Sequence, residues 1–282
     1  MRGLFLSTAA ALVLASTMAK ADNVVILQDF DLDGIPQAVN NALNAKGDVT
    51  GGALEGTNLV NVLQWRDASA DAGASGDVYL FLQNFDHDAQ VVLNEATSAY
   101  GDVGATLAGT NVANLVQIED RLAGTEVVGD HHLIAQNLDS VSQVVSNKMI
   151  AGGKFGSILE GSAMSGTNLG NVASITDVGG GEEYGNSIAL GQLNTGVTQT
   201  VHNAAAAGSI AGLEMAGTNG VNIAQFDLSA QTGLAEIGVV QATVGVTQTV
   251  TNAAYSAGDA ANVAMSGINL GNVVTFAAAP AE

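Results

Sequence analysis

Amides and small apolar side chains alternate along this chain in a pattern that recurs five times. In each recurrence a Gln, a Val and an Asn occupy positions i, i+2 and i+4, as in Gln37, Val39 and Asn41. Side chains two residues apart project from one face of an extended strand, whereas on a helix they would be spread around the cylinder. The pattern therefore predicts one amide-bearing strand per copy. The amides of these strands are Gln37, Asn41, Gln90, Asn94, Gln143, Asn147, Gln199, Asn203, Gln248 and Asn252.

A further Gln precedes each of these strands. It lies seven residues before the second Gln in four copies and nine residues before it in the first. The interval contains turn-forming residues such as Asn194-Thr195-Gly196, so each copy is predicted to contain two short strands joined by a bend. The leading residues are Gln28, Gln83, Gln136, Gln192 and Gln241.

The second half of each copy carries Gly-Thr-Asn, or Gly-Ile-Asn in the fifth, and another Asn three residues later. An odd spacing places side chains on opposite faces of a flat strand. Gly-Thr-Asn is therefore interpreted as a corner, because Gly and Asn tolerate left-handed backbone angles, and the later Asn as a strand residue. The residues are Asn58, Asn61, Asn111, Asn114, Asn168, Asn171, Asn219, Asn222, Asn269 and Asn272.

Stacking gives a physical reason to repeat amides at fixed positions. A lone buried amide loses hydrogen bonds to water, at a cost of roughly 2–7 kcal/mol relative to an apolar solvent. Identical amides stacked at about 4.8 Å can instead bond one another and fix the register of the strands. The five Val residues are expected to form an apolar column beside them, because β-branched side chains suit such a surface. These are Val39, Val92, Val145, Val201 and Val250.

A repeat of about fifty residues indicates an array of stacked units. We predict an all-β, repetitive β-solenoid over residues 22–276, with copies at 23–77, 78–130, 131–185, 186–236 and 237–276 and a flexible tail at 277–282. Two rungs of about 25 residues per copy would give ten rungs and a rod about 48 Å long. The 282 residues are 47% hydrophobic, only 4% aromatic and include two prolines, so little interrupts the ladders.

The N-terminus predicts export. Met1-Arg2 is a short basic start, an apolar stretch follows, and Ala19-Lys20-Ala21 is a small-x-small cleavage site, which together are typical of a signal peptide over residues 1–21. The apolar stretch is shorter than the ~20 residues that span a bilayer. The protein is therefore expected to be secreted or displayed at the cell surface, with no stable membrane insertion.

The net charge of −20 argues against nucleic acid and anionic lipid as partners, because both require Lys and Arg. We interpret the acidic residues chiefly as solubilising charges that oppose edge-to-edge pairing. The alternative is divalent cation binding. Asp29, Asp31, Asp33 and Gly34 resemble the first half of a calcium loop, although the twelfth position is Asn40 instead of Glu. Calcium is the only cofactor that the sequence suggests.

Signatures of catalysis are missing. The histidines His87, His131, His132 and His202 form no zinc motif, and no nucleophile elbow is present. The chain also contains no cysteine. We therefore expect no enzyme activity. Trp65, the single Trp, is interpreted as a local cap or surface aromatic residue.

The chain resembles bacterial functional amyloid subunits of the curli and Fap type and related curli-like surface anchors. The residues that carry the likeness are Asn and Gln six positions apart, at Asn58 and Gln64, Asn111 and Gln117, and Asn219 and Gln225. Ser174 and Thr275 replace that Gln in the third and fifth copies, and the period is longer than the low-twenties period of curli. The likeness spans residues 23–276. It implies export through the outer membrane, nucleation by proteins at the cell surface and end-to-end assembly.

The expected function is a secreted structural subunit that polymerises with itself into amyloid-like fibres for adhesion or a biofilm matrix. One alternative is a monomeric β-solenoid adhesin or calcium-dependent binding module, which would need capped ends. Another is a secreted β-helix enzyme acting on polysaccharide, which would need acids and bases gathered in a cleft.

Overall fold

Alternating polar and β-branched residues give this chain an all-parallel β architecture. The structure is a computed structural model and describes residues 23–30, 36–67, 78–120, 131–152, 156–177, 187–228 and 236–278. The described residues form sixteen strands and no helix, so none of them lies in a helix that could cross a membrane. The predicted signal peptide lies outside the described residues.

The strands follow one another in a regular order, three to a copy, with the third strand split in the first copy. In chain order they are β1 Asn23–Phe30, β2 Gln37–Ala45, β3 Val49–Leu59, β4 Val62–Asp67, β5 Val78–Asp86, β6 Ala89–Ser98, β7 Val103–Asp120, β8 His131–Asp139, β9 Ser142–Ala151, β10 Ile158–Asp177, β11 Ser187–Thr195, β12 Thr198–Ala207, β13 Ser209–Leu228, β14 Glu236–Val244, β15 Thr247–Ser256 and β16 Ala260–Ala278.

Equivalent strands of successive copies pair in parallel and form three sheets. Sheet A has the order β1-β5-β8-β11-β14, and sheet B has the order β2-β6-β9-β12-β15. Sheet C has the order β3-β7-β10-β13-β16, with β4 also pairing with β7. Each copy thus contributes one strand to every sheet, except that the first contributes both β3 and β4 to sheet C, and we call the strands of one copy a rung. The first rung is β1 to β4, and the fifth is β14 to β16.

The repetitive β-solenoid prediction is confirmed, but the prediction of two rungs per copy is wrong. Each copy uses its whole length for a single rung, because its sheet C strand, up to 20 residues long, packs against both the sheet A and the sheet B strand of the copy. Five rungs at about 4.8 Å place the outer backbone layers about 19 Å apart, instead of the expected ~48 Å.

The core lies between the sheets. The first half of each sheet C strand packs on sheet B, as Leu107 does near Ala96 and Met149. The second half packs on sheet A, as Ile118 does near Tyr79 and Phe81. The long third strand therefore closes the rung against both other sheets.

The turn between the sheet A and sheet B strands is also repeated. A residue with positive φ occupies it in the last four copies: His87 (φ 54°), Ser140 (φ 57°), Gly196 (φ 63°) and Gly245 (φ 65°). Successive turns are joined by backbone hydrogen bonds, such as His87 N–H to Asp139 O at 2.9 Å. His87 is thus a turn residue.

Two boundary predictions differ slightly from the structure. The fifth copy begins at Glu236, the first residue of β14, and β16 continues to Ala278, two residues beyond the predicted solenoid. Both extensions follow from strand pairing, because Glu236 is in register with Ser187 and Ala278 with Leu228.

Candidate functional site: the stacked amide columns

The repeated amides form five columns that run through the stack. Each column contains one amide per rung. Its members are partners in the strand register, except Asn61, which lies between β3 and β4 and joins its column through its bond to Asn114. We name the columns by sheet: one Gln column in sheet A, one Gln and one Asn column in sheet B, and two Asn columns in sheet C. Internal members are buried; Gln90, Gln143, Asn147 and Gln199 are fully inaccessible to solvent.

The sheet A Gln column is a continuous hydrogen-bonded ladder. The Nε2 group of Gln83, Gln136, Gln192 and Gln241 each donates to Oε1 of the Gln in the preceding rung, at 2.7–2.8 Å. In sheet B, Gln143, Gln199 and Gln248 do the same at 2.7–2.8 Å. Every Gln–Gln bond of these two columns thus points toward the first rung.

The first rung interrupts the sheet B Gln ladder. Oε1 of Gln37 is buried without a hydrogen-bond partner, while Gln90 Nε2 donates to the carbonyl oxygen of Val112 at 3.0 Å. Gln37 is in register with Gln90, as predicted, but Gln90 does not donate a side-chain hydrogen bond to Gln37.

The Asn columns run in the opposite direction. In sheet B, Nδ2 of each Asn donates to Oδ1 of the Asn in the following rung, from Asn41 through to Asn252, at 2.8–2.9 Å. The sheet C column from Asn58 to Asn269 has four such bonds at 2.9 Å. The column from Asn61 to Asn272 has four at 2.8–3.1 Å.

Backbone carbonyls fix these directions. The second N–H of each amide donates to a carbonyl oxygen of a neighbouring strand, for example Gln143 to Leu169 O at 2.8 Å and Asn147 to Ser165 O at 2.8 Å. A carbonyl can only accept, so the nitrogen must be the atom that faces it. The amides therefore join the rungs along the stack and also join sheet C to sheets A and B within it.

The Gly-Thr-Asn corner prediction is wrong. These residues lie inside the sheet C strands, as Gly166, Thr167 and Asn168 do in β10. Asn168 and the later Asn171 are both buried although they are three residues apart, so the strand changes its facing direction between them. In the first copy the strand breaks there, and Asn61 has φ 46°.

Glycine in this motif provides close packing instead of an unusual backbone angle. A Cβ placed on Gly166 would overlap Cγ1 of Val201 and lie 3.1 Å from Cγ1 of Val145. Gly56, Gly109 and Gly217 face the same Val column in the same way. The predicted apolar column is therefore present, and each of its members packs on a glycine that the sequence pattern predicts in a corner.

The Gln residues of the six-residue spacing and Trp65 lie outside the amide columns. Gln64, Gln117 and Gln225, which carry the six-residue spacing, are exposed on the outer side of sheet C, where Gln64 donates to Gln117 at 2.7 Å. Trp65 is not a surface aromatic residue: it packs inward on Tyr79 and Phe81, with ring centroids 5.2 Å and 5.8 Å away.

The proposed calcium ligands are only partly described. Asp29 lies in β1, where its Oδ1 accepts a hydrogen bond from Asn84 Nδ2 at 2.8 Å, while Asp31 and Asp33 lie outside the described residues. Across the part of the chain that the structure describes, no three His, Cys, Asp or Glu residues are placed to hold a metal ion.

Comparison with known proteins gives no match to a family model, to a curated protein or to a solved structure.

Proposed function

We propose that this protein is a secreted structural subunit that assembles end to end into extracellular amyloid-like fibres, for adhesion or a biofilm matrix. The observation that carries the proposal is the open state of both end rungs. Among the described residues, nothing covers the outer edges of β14, β15 and β16 at one end or of β1, β2 and β3 at the other.

Exposure of the core columns shows how open the fifth rung is. Met164 and Met215 are 1% and 2% exposed, whereas Met265 in the same column is 47% exposed. Phe226 is 2% exposed and its stacked neighbour Phe276 is 57% exposed. Residues that form the core in the middle of the stack are thus surface at its end.

The strands of the fifth rung also carry almost no charge and no proline, two features that commonly protect an edge against pairing. Natural edge strands are blunted by Lys, Pro, bulges or inward-pointing charges. The three strands of the fifth rung contain a single charged residue, Glu236, and no proline. An edge of this length that is nearly uncharged and that no described residue covers templates further strands, while the charge of −20 keeps the rest of the surface soluble.

Export is part of the proposal. It is supported by the signal-peptide pattern in residues 1–21 and by the likeness to exported fibre subunits, which also suggests secretion and nucleation proteins as partners. The amide columns act in this function by stacking and perform no chemistry.

Electron microscopy and fibre diffraction of purified protein left to stand test the proposal. We expect unbranched fibres with a reflection at about 4.8 Å along the fibre axis. A protein that stays monomeric by sizing at high concentration contradicts the proposal and favours the monomeric adhesin.

Paired variants separate assembly from folding. Replacing Gln248 and Asn252 of the fifth rung by Ala should leave the β circular dichroism spectrum intact and abolish fibres. The matched replacement of Gln199 and Asn203, one rung inward, should destabilise the monomer itself, because their partners Gln143 and Asn147 are fully buried. Fibre growth at the normal rate from the fifth-rung variant would argue against a role of the columns in assembly.

A further inference from the structure

The two ends of the stack expose different amide atoms. We call the outer surface of the first rung the first-rung face and that of the fifth rung the fifth-rung face. Because the Gln–Gln bonds of these two columns point toward the first rung, no described Gln donates to Oε1 of Gln241 or Gln248 on the fifth-rung face, and Gln28 on the first-rung face keeps one Nε2 proton without a Gln acceptor among the described residues.

The Asn columns end with the opposite polarity. On the fifth-rung face, Asn252 Nδ2 donates to Ser266 O at 2.6 Å and has no following Asn to which its other proton could be donated. On the first-rung face, the Oδ1 atoms of Asn41, Asn58 and Asn61 receive no bond from a preceding Asn. Each end therefore carries both donors and acceptors, in a pattern set by its columns.

The two patterns are complementary. We propose that the fifth-rung face binds the first-rung face of a second copy of this chain, in one polarity and in strand register. This inference rests on the proposed function and specifies its interface. In that arrangement β1, β2 and β3-β4 of the second copy follow β14, β15 and β16. Gln28 of the second copy then donates to Gln241, and Asn252 donates to Asn41 of the second copy.

The apolar columns continue across the same interface. Phe226 and Phe276 are stacked, with ring centroids 5.0 Å apart and an interplanar angle of 13°. The strand register leads from Phe276 back through Phe226, Ile175 and Ile118 to Trp65. In the proposed interface the free face of Phe276 therefore meets Trp65 of the second copy, and the exposed Met265 meets Leu54.

Binding between two like faces lacks this match. Turning one copy over reverses its strands, so the parallel register of the sheets is lost. Any column that met itself would bring oxygen against oxygen or N–H against N–H, which is repulsive and leaves desolvated groups without partners. The polarity of the columns therefore selects head-to-tail growth and rejects dimers formed by two like faces.

Cysteine cross-linking tests the orientation, since the chain contains no cysteine of its own. Asn40 and Thr251 are exposed on the outer side of sheet B and belong to one column, through Leu93, Ser146 and His202. Across the proposed interface their Cα atoms would be about 4.8 Å apart, within the range for a disulfide. We would prepare the purified protein as Asn40→Cys, as Thr251→Cys and as the double variant, and oxidise each after assembly.

The inference predicts covalent dimers from an equimolar mixture of the two single variants and a ladder of multimers from the double variant, with no cross-linking of either single variant alone. Cross-linking within one single variant would overturn it, because like faces would then meet. Fibres that form without cross-linking in the mixture would also overturn it, while leaving the proposed function intact. Protein that stays monomeric would overturn both.

Trp65 gives a second readout, because it is the only Trp and lies in the first rung. Its emission should shift to shorter wavelength on assembly as Phe276 of the neighbouring copy covers it. Phe276→Ala should remove that shift and raise the protein concentration needed for assembly by about tenfold. Tyr255→Ala removes an exposed aromatic ring of the same rung from the solvent-facing side of sheet B. It should change neither the emission shift nor the protein concentration needed for assembly. Equal effects of the two variants would contradict the proposed contact.

Discussion

The third rung and the fifth rung are built from the same motif and differ in what covers them. Asn147 in the third rung accepts from Asn94, donates to Asn203 and Ser165 and is fully buried. Asn252 in the fifth rung makes the equivalent bonds on one side only and is partly exposed. Asn147 and Asn252 are the same residue type, so the difference in their burial is set by their position in the stack.

This difference means that equal substitutions should have unequal effects. In an internal rung a substitution affects the fold, because both neighbouring rungs depend on the residue. In the fifth rung the same substitution affects one neighbour in the monomer and the second only after assembly. Paired variants in the two places therefore measure how far the ends are incomplete.

The largest difference is expected for the stacked phenylalanines. Phe226→Ala removes a buried ring and should lower the free energy of unfolding by about 3–5 kcal/mol. Phe276→Ala, at 57% exposure, should cost the monomer less than half of that. Urea denaturation of both variants in dilute solution checks the pair. Equal losses would show that Phe276 is already covered in the monomer.

The Asn column of sheet B should show the next largest difference. Asn147→Ala leaves the buried amides of Asn94 and Asn203 without their partner, at about 1–3 kcal/mol for each unsatisfied group, and also removes the bond to the backbone carbonyl of Ser165. Asn252→Ala leaves only Asn203 and Ser266 without it, at the more exposed end of the stack. Thermal unfolding should give a clearly lower midpoint for the internal variant. A midpoint as low for Asn252→Ala would argue against an open end.

Glycines under the Val column form a third pair. Gly166→Ala should cost about 1–3 kcal/mol or more, because its Cβ overlaps Val201. Gly267→Ala should cost less, since its Cβ lies 3.0 Å from Val250 Cγ1 at a rung free to move outward. Gly191→Ala is the control, because the nearest atom to its Cβ is 3.9 Å away. We expect the denaturation midpoint to be highest for Gly191→Ala, lower for Gly267→Ala and lowest for Gly166→Ala. A low midpoint for Gly191→Ala would show that Ala is destabilising at any glycine of these strands.

The smallest effect is expected on the outer surface. Lys148 Nζ lies 2.9 Å from Glu95 Oε1, with both side chains more than two-fifths exposed. Such pairs contribute about 0–1 kcal/mol and are screened by salt. Lys148→Ala should therefore shift the denaturation midpoint only slightly, and less at high salt. A large shift would mean that the internal rungs depend on their outer surface as well as on their columns.

The sequence was sufficient to predict the columns because their signal is local. A Gln, a Val and an Asn at two-residue steps can share a face only in a strand, and repetition of the pattern requires parallel stacking of the copies. Gln143, Val145 and Asn147 are accordingly in register with Gln199, Val201 and Asn203. The outer faces follow by exclusion, as at His202, which lies on the side opposite these amides.

Other features depend on contacts that a single sequence does not contain. The number of rungs per copy depends on the long sheet C strand, which packs against both other sheets. The alternation of side chains along a strand is the same for one rung per copy or two, so the sequence does not distinguish them. The sequence predicts Gly166 in a corner because glycine is common in turns, whereas its contact with Val201 arises between sheets. The inward position of Trp65 and the donor direction of each column likewise depend on neighbouring strands.

Hydrogen exchange measured before and after assembly tests the central claim most directly, which is that both ends of the stack are incomplete in the monomer and completed by a second copy. We predict fast exchange at the outer edges of β14–β16 and β1–β4 in dilute monomer, slow exchange in β8–β10, and equal protection of all of them in fibres. End strands already protected in the monomer, or still exchanging fast in fibres, would contradict the account.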